Sequence, residues 1–537
     1  MLKAKDLIQY GYFPAELPPP FQTTSLGKFV GKTKKGKFER WLNEWINQNK
    51  SKEKDEELNR PESKCVNYSV PRVKNFRRVL SIPNPFYQII LCNLIEKNWS
   101  EIEKHIQQSP ISISRPVIPI QRSKKDRRSF DQIKHTINNE QKIALISTEF
   151  SFALKTDISR YYPTLYTHSI SWALHGKNVA KQKRKPSELF GNELDQAIRS
   201  TKDGQTLGIP IGPDTSLIIA EILTTTIDLE LEKRLGKLSG LRVIDDYLLF
   251  FKEKQDCEKA LEELTDLFKE YELEMNPIKI QILELPYVLE PAWKPEIRQF
   301  HFRVPEVNPL KKYSMQRYDL INYFSRVNDY CVQFPDFYIL KYSIKRIHNL
   351  SIYEDNLPLF ESLLLKSTLT QSSCLSDVAG ILIDNKEKKY AGKIERIEKS
   401  LSELIRIHAK YSNHYEISWA LWLAKEFEIK LNKDLDPLLS KMDNPIIVLL
   451  ALDLRKRGLI SSSVDDEGWK KYLVKEQLYD DHWLLAYEAV IKEWIKPSKD
   501  YLEEDPFFKA LKDNKVSFYD SAKSEILSTP EPSTSGI

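Results

Sequence analysis

Leu241-Arg242-Val243-Ile244-Asp245-Asp246-Tyr247-Leu248-Leu249-Phe250-Phe251 sets two adjacent acids between two apolar runs. That pattern predicts a β-hairpin with the acids at its turn. Two carboxylates in so apolar a setting are costly to leave ionised and unpaired. A divalent cation removes the cost, and oxygen ligands suit Mg²⁺. Taken alone, the pair also reads as a solvated Asp-Asp turn. A third acid lies upstream. Asp157 ends Phe152-Ala153-Leu154-Lys155-Thr156, an apolar run turning polar as at the end of a buried strand.

Three further pieces surround these acids. Asp157 opens Asp157-Ile158-Ser159-Arg160-Tyr161-Tyr162-Pro163; Gly208-Ile209-Pro210-Ile211-Gly212-Pro213 leads into Ser216 and a helix; Asn276-Pro277-Ile278-Lys279 follows a helix whose apolar residues Leu261, Leu264, Leu267 and Phe268 keep helical spacing. In this order and spacing, the pieces and the acid pair resemble motifs A to D of the reverse transcriptase palm, over residues 61–300. The resemblance implies an α+β fold with palm and fingers, and two-metal nucleotidyl transfer as the chemistry. Asp157, Asp245 and Asp246 would then be the catalytic metal ligands for two Mg²⁺ ions, or Mn²⁺, with the backbone carbonyl of Ile158 completing one oxygen shell. By the same resemblance Tyr162 packs under the sugar and excludes a 2′-hydroxyl. Gly208 and Gly212 let backbone approach the nucleotide, where a side chain would block it. Lys279 sits near the triphosphate as a proton donor to pyrophosphate. Arg77 and Arg78 lie in the fingers, where bidentate guanidinium groups clamp phosphate.

A closer resemblance runs through Tyr162-Pro163-Thr164-Leu165-Tyr166-Thr167-His168-Ser169-Ile170-Ser171-Trp172-Ala173, then Gly176-Lys177 and Lys181-Gln182-Lys183-Arg184-Lys185. Together with Gly208–Gly212, Ala220-Glu221 and Arg77-Arg78 ahead of Pro83-Asn84, it is similar to the bacterial abortive-infection polymerases of the AbiK type. That family defends bacteria against phage, makes DNA without a nucleic-acid template, and attaches the DNA to a tyrosine that serves as primer. The implied partners are deoxynucleoside triphosphates and a single-stranded DNA product, and the implied assembly is a homo-oligomer, a trimer or hexamer. A non-coding RNA or a second defence protein stays open as a partner. Two residues depart from the wider superfamily: Val243 stands where motif C carries an aromatic, and Ile211 where templated enzymes carry Gln. An apolar side chain at the second position cannot make Gln's polar contact to nucleic acid.

The rest of the chain divides by composition. Residues 1–60 open with an apolar-aromatic stretch, then Pro18-Pro19-Pro20 and a basic run from Lys28 to Arg40, and are expected to pack on the fingers. Gly27-Lys28-Phe29-Val30-Gly31-Lys32-Thr33 imitates a P-loop, but has three residues between its glycines where that loop needs four. It reads as a solvated basic face. Asn84-Pro85 predicts a capped helix start. From 301 to 527 the pattern is helical. Trp419–Ala424, Val448–Leu452 and Trp483–Tyr487 repeat an apolar beat, which predicts an all-α helical-repeat domain of HEAT-like kind. Residues 528–537, rich in Ser, Thr and Pro, read as a disordered tail.

The 537 residues hold 81 Lys+Arg against 76 Asp+Glu, so partners must be argued from where charge sits. Arg122, Lys124, Lys125, Arg127 and Arg128 form a cluster that serves as a solvated face or a path for single-stranded DNA. Five scattered cysteines without a C-x-x-C pair exclude a zinc or disulfide framework and point to a reducing compartment, the cytoplasm. Met1–Tyr12 shows no secretory signal, and no apolar run approaches the ~18 residues of a membrane span. Tyr10 and Tyr12 are the primer candidates, since a segment ending before Pro18 would thread towards the palm without dismantling a core. Two other functions compete. An RNA-templated reverse transcriptase predicts a basic thumb or RNA-binding extension after residue 300, and the helical array there is mixed in charge. A silent nucleic-acid-binding scaffold predicts lost metal ligands, and all three acids are present.

Overall fold

The computed structural model describes the chain apart from residues 1, 34–35, 38–39, 42–61, 123–127, 132–138, 287, 289, 304–308, 463, 465 and 527–537. Lys124, Lys125 and Arg127 of the basic cluster and the expected tail at 528–537 lie outside the described residues.

Two sheets organise the first half. Strands β1 (Val66–Pro71) and β2 (Arg77–Ile82) form an antiparallel hairpin. A four-stranded antiparallel sheet has the order β4-β5-β3-β6, built from β3 (Phe152–Asp157), β4 (Gly240–Val243), β5 (Asp246–Phe251) and β6 (Gln281–Glu284). The hairpin expected around Asp245-Asp246 is β4–β5, with Val243 opposite Asp246. Ile244 sits in its turn at φ +58°, a left-handed conformation that a β-branched residue adopts only at a cost.

Side chains alternate across a strand with period two, so each face of the sheet follows from parity. Leu154, Tyr247 and Leu249 belong to the main core, where the helices Asp214–Leu235 and Lys254–Glu270 pack. Ala153, Leu248 and Phe250 face the other way, into a small cluster with Ile143 and Leu241. Asp157 and Asp246 share the parity of this second face, opposite the one those two helices cover.

The Asn84 side chain accepts from the Phe86 amide at 2.9 Å and caps Pro85–Lys97, as the Asn-Pro pair predicts. The P-loop imitation runs along the helix Thr24–Lys32 to its C-cap Thr33, and among the described residues no strand precedes it.

In the second half, His414–Glu426, Pro445–Lys456 and Trp483–Ile491 carry the three apolar stretches of the predicted beat, and they pack in series. Packing does not break at residue 300. One core includes Leu154, Ile219, Trp419, Leu450 and Trp483. The N-terminal segment joins the halves instead of resting on the fingers alone. Leu7, Ile8, Tyr12, Leu17 and Phe21 are buried. The Trp419 indole donates to the Glu16 carbonyl at 2.9 Å, Gln22 N donates to Phe518 O at 3.0 Å, and Asp520 N donates to Pro20 O at 2.8 Å. No described helix is long and apolar enough to cross a membrane.

Candidate active site

The β3–β5 register sets Asp157 directly opposite Asp246. Directly opposed residues in an antiparallel pair hold their Cβ atoms about 5 Å apart, on one face. Asp245 follows from the turn, and its carbonyl accepts from the Ile158 amide at 3.2 Å. Lys279 closes the group from the turn before β6. Its ammonium is bonded to Asp157 Oδ2 and lies 3.2 Å from Asp246 Oδ1. Four residues that the sequence spreads from 157 to 279 thus meet at one end of one sheet.

Their electrostatics follow from burial. Asp157 is 4% exposed, and burial raises its carboxyl above the usual range while Lys279 opposes the rise. Burial, then the neighbouring Asp246, push the Asp245 carboxyl up to about 7. The Lys279 ammonium, though partly desolvated, is held above its ordinary value by Asp157 and Asp246. Lys155, two residues before Asp157 and so of the same parity, is lowered by burial, against the pull of Asp246. Lys155 belongs to no motif in the sequence, although period two from Asp157 marks it.

A divalent cation fits this donor set. The ligands are hard carboxylate oxygens, and Asp157 Oδ1 is buried without a hydrogen-bond partner. As the side chains stand, no three His, Cys, Asp or Glu residues among those described converge closely enough to hold a metal ion. Lys279 supplies the positive charge between two of the acids.

Tyr162 follows in the short helix Tyr161–Thr164. It is half-buried, and its hydroxyl is raised first by burial and then by Asp245, with Arg128 and Arg78 acting in the opposite sense. Motif A and the Gly208–Gly212 loop are joined by backbone: Ile209 N donates to Tyr162 O at 2.9 Å, and Gly208 N to Leu165 O at 2.7 Å.

The two glycines are explained by contacts within the chain. At Gly208, φ is +82°, and a β-carbon would stand 2.6 Å from the Pro163 carbonyl oxygen. At Gly212, φ is +132°, and a β-carbon would stand 2.8 Å from Pro14 Cγ. The space beside Gly212 is taken by the N-terminal segment, whereas the sequence reading left it for a nucleotide.

The adjacent arginines part company because strand neighbours face opposite ways. Arg78 is exposed and lies within electrostatic reach of Tyr162. Arg77 turns to the C-terminal half and grips Glu416 with both nitrogens, at 2.7 and 2.9 Å. Expected at the triphosphate, Arg77 instead ties β2 to the helix His414–Glu426. Arg128 pairs with Asp214 at 3.1 Å and donates to the Gly212 carbonyl at 3.1 Å, fastening its segment to the Gly208–Gly212 loop.

The primer candidates are also corrected by burial. Tyr12 is fully buried, and its hydroxyl donates to the Pro83 carbonyl. Phe13 beside it stacks on Phe518, with ring centroids 5.9 Å apart. Threading this segment into the palm would dismantle core. Tyr10 is half-buried with the Arg122 guanidinium 4.7 Å over its ring.

Residues 78–310 match the family described as reverse transcriptase (RNA-dependent DNA polymerase). The chain carries a reverse transcriptase domain. The matched region contains the whole four-stranded sheet and is of a nucleotidyltransferase superfamily whose substrates are nucleotides and nucleic acid. No curated protein matches the chain. Among solved structures, apo telomerase from Candida tropicalis aligns at 12% identity over 77% of this chain and 76% of that one, with a TM-score of 0.31. Telomerase from Candida albicans, in complex with a fragment of telomeric RNA, aligns at 13% identity over 72% and 70%, with a TM-score of 0.29.

Proposed function

We propose that the chain is a DNA polymerase that adds deoxynucleotides by two-metal transfer at Asp157, Asp245 and Asp246. The observation that carries this reading is the β3–β5 register, which opposes Asp157 to Asp246 beside the Asp245 turn. Bound Mg²⁺, or Mn²⁺, would activate the attacking hydroxyl and offset charge on the leaving pyrophosphate. The three carboxylates would hold the ions, with the Ile158 carbonyl as a further oxygen. Lys279, which holds Asp157 and Asp246 here, would serve as proton donor to the leaving group through its Nζ. Arg78 meets the triphosphate, and the Tyr162 ring blocks a 2′-hydroxyl. Arg77 takes no part.

The resemblance to abortive-infection polymerases extends the proposal. Synthesis proceeds without a template, a reading supported by apolar Ile211 where templated enzymes carry Gln. The primer is a tyrosine hydroxyl of the protein outside the buried N-terminal segment that holds Tyr10 and Tyr12. The biological setting is antiphage defence in a bacterial cytoplasm, by a homo-oligomer.

The test uses purified protein with labelled deoxynucleotides and Mg²⁺. Asp245→Asn with Asp246→Asn should abolish incorporation while the fold is retained. Full activity in that double variant would sink the polymerase reading. Label that stays with the polypeptide on denaturing gels supports protein priming, and label that all separates refutes it.

A further inference from the structure

The turn that carries Asp245 is clamped from beneath by a buried polar network outside the proposed metal site. Ile244 holds its left-handed conformation with both backbone polar groups taken. Its amide donates to Ser114 Oγ at 2.7 Å, and its carbonyl accepts from Arg242 Nη1 at 2.9 Å. Arg242 is fully buried and divides its guanidinium between Glu221 and Asp228, whose carboxylates are also fully buried. Ser114 Oγ donates to Glu221 Oε1 at 2.6 Å, Ser112 Oγ to Glu221 Oε2 at 2.8 Å, and Ser109 Oγ to Asp228 Oδ2 at 2.5 Å.

Two buried carboxylates around one buried guanidinium are expensive to desolvate, and such a network is weak evidence for stability as a purpose. A strained backbone position persists only where its surroundings over-determine it. Here they do. The helix Asp214–Leu235 supplies Glu221 and Asp228, β4 supplies Arg242, and residues 111–113 run beside β4 through Arg242 N to Ile111 O at 2.8 Å and Ile113 N to Arg242 O at 2.9 Å. Two members of this network, Ser114 and Arg242, reach the peptide groups just before Asp245.

We infer that Ser114, Arg242 and Glu221 are positioning residues that set the aim of Asp245 by clamping Ile244. This rests on the reading of Asp157, Asp245 and Asp246 as metal ligands, and it predicts that loosening the clamp weakens metal binding without touching the nucleotide pocket.

Ser114 and Ser112 give a matched pair for the test. Each donates one hydrogen bond to Glu221, but only Ser114 touches Ile244. Mn²⁺ binding to the full chain is titrated by electron paramagnetic resonance, with thermal unfolding and deoxynucleotide KM measured alongside. Ser114→Ala should raise the Mn²⁺ dissociation constant about fivefold, the ordinary worth of one hydrogen bond, and lower kcat with KM unchanged. Ser112→Ala should lower the melting temperature comparably and leave Mn²⁺ affinity at the wild-type value. Ser114→Thr keeps the oxygen and should restore affinity. If Ser114→Ala does not fold, Ser114→Cys, which keeps the volume, carries the same comparison. Equal Mn²⁺ affinity in the Ser112 and Ser114 variants, while wild type binds Mn²⁺, overturns the inference alone. A wild-type protein that binds no Mn²⁺ overturns the metal reading and the inference together.

Discussion

Replacing Arg77 by Met separates a structural arginine from one that binds nucleotide. Arg77 makes two charge-assisted hydrogen bonds to Glu416, whose side chain is 0% exposed. Without Arg77, Glu416 keeps the Ser372 hydroxyl at 2.7 Å and His408 at 3.9 Å, neither of which carries a permanent positive charge. Removing one partner of a buried pair costs about 3–5 kcal/mol. Arg77 is 25% exposed, which brings the expected loss to about 3 kcal/mol. The sign with pH is fixed by Glu416. Arg77 holds its carboxyl below the ordinary 4.5 despite burial, so the pair stabilises the fold above pH 4.5 and is lost as pH falls through the lowered value. The difference between wild type and Arg77→Met should therefore be largest near neutral pH and shrink as pH falls through that lowered value, where the paired Glu416 takes up its proton. Adding Glu416→Leu should recover most of the loss, because no buried charge is left unpaired. Urea unfolding at pH 4 and pH 7.5 measures both effects, and deoxynucleotide KM is read on the folded variant. A tenfold rise in KM with unfolding unchanged would refute the structural role and return Arg77 to the triphosphate.

Tyr162→Ala should relax discrimination against ribonucleotides with activity retained, whereas an unchanged incorporation ratio would reduce the ring to packing. Tyr12→Phe removes one buried hydrogen bond to Pro83 and should cost about 1 kcal/mol in urea unfolding, with no change in nucleotide attachment to the protein on denaturing gels. Lys279→Met leaves Asp157 and Asp246 without their cation, so the metal-free protein should lose about 1 kcal/mol, and millimolar Mg²⁺ should restore more stability to this variant than to wild type. An equal Mg²⁺ response in the two would show that Lys279 does not stand where the metal binds.

The palm was legible because its signals are local. A strand alternates with period two, and a turn is written in the few residues that make it, so β3, the β4–β5 hairpin and the three acids could be placed from sequence. The same parity would have found Lys155. The wider setting was decided by contacts that no local pattern encodes. Arg77 and Arg78 are neighbours of one type, and only the helix carrying Glu416, 339 residues away, distinguishes them. Tyr12 and Phe13 read as part of a segment able to thread towards the palm until Pro83 and Phe518 are seen to hold them. Arg242 looks like an ordinary strand residue until Glu221, Asp228 and Ser114 surround it. Sequence by itself determined which acids end β3 and sit at the β4–β5 turn, since hydrophobic period and turn chemistry act within a few residues. Only the tertiary structure decided which charges and rings are consumed in holding the two halves together, because burial and ion pairing depend on partners brought close by the whole fold.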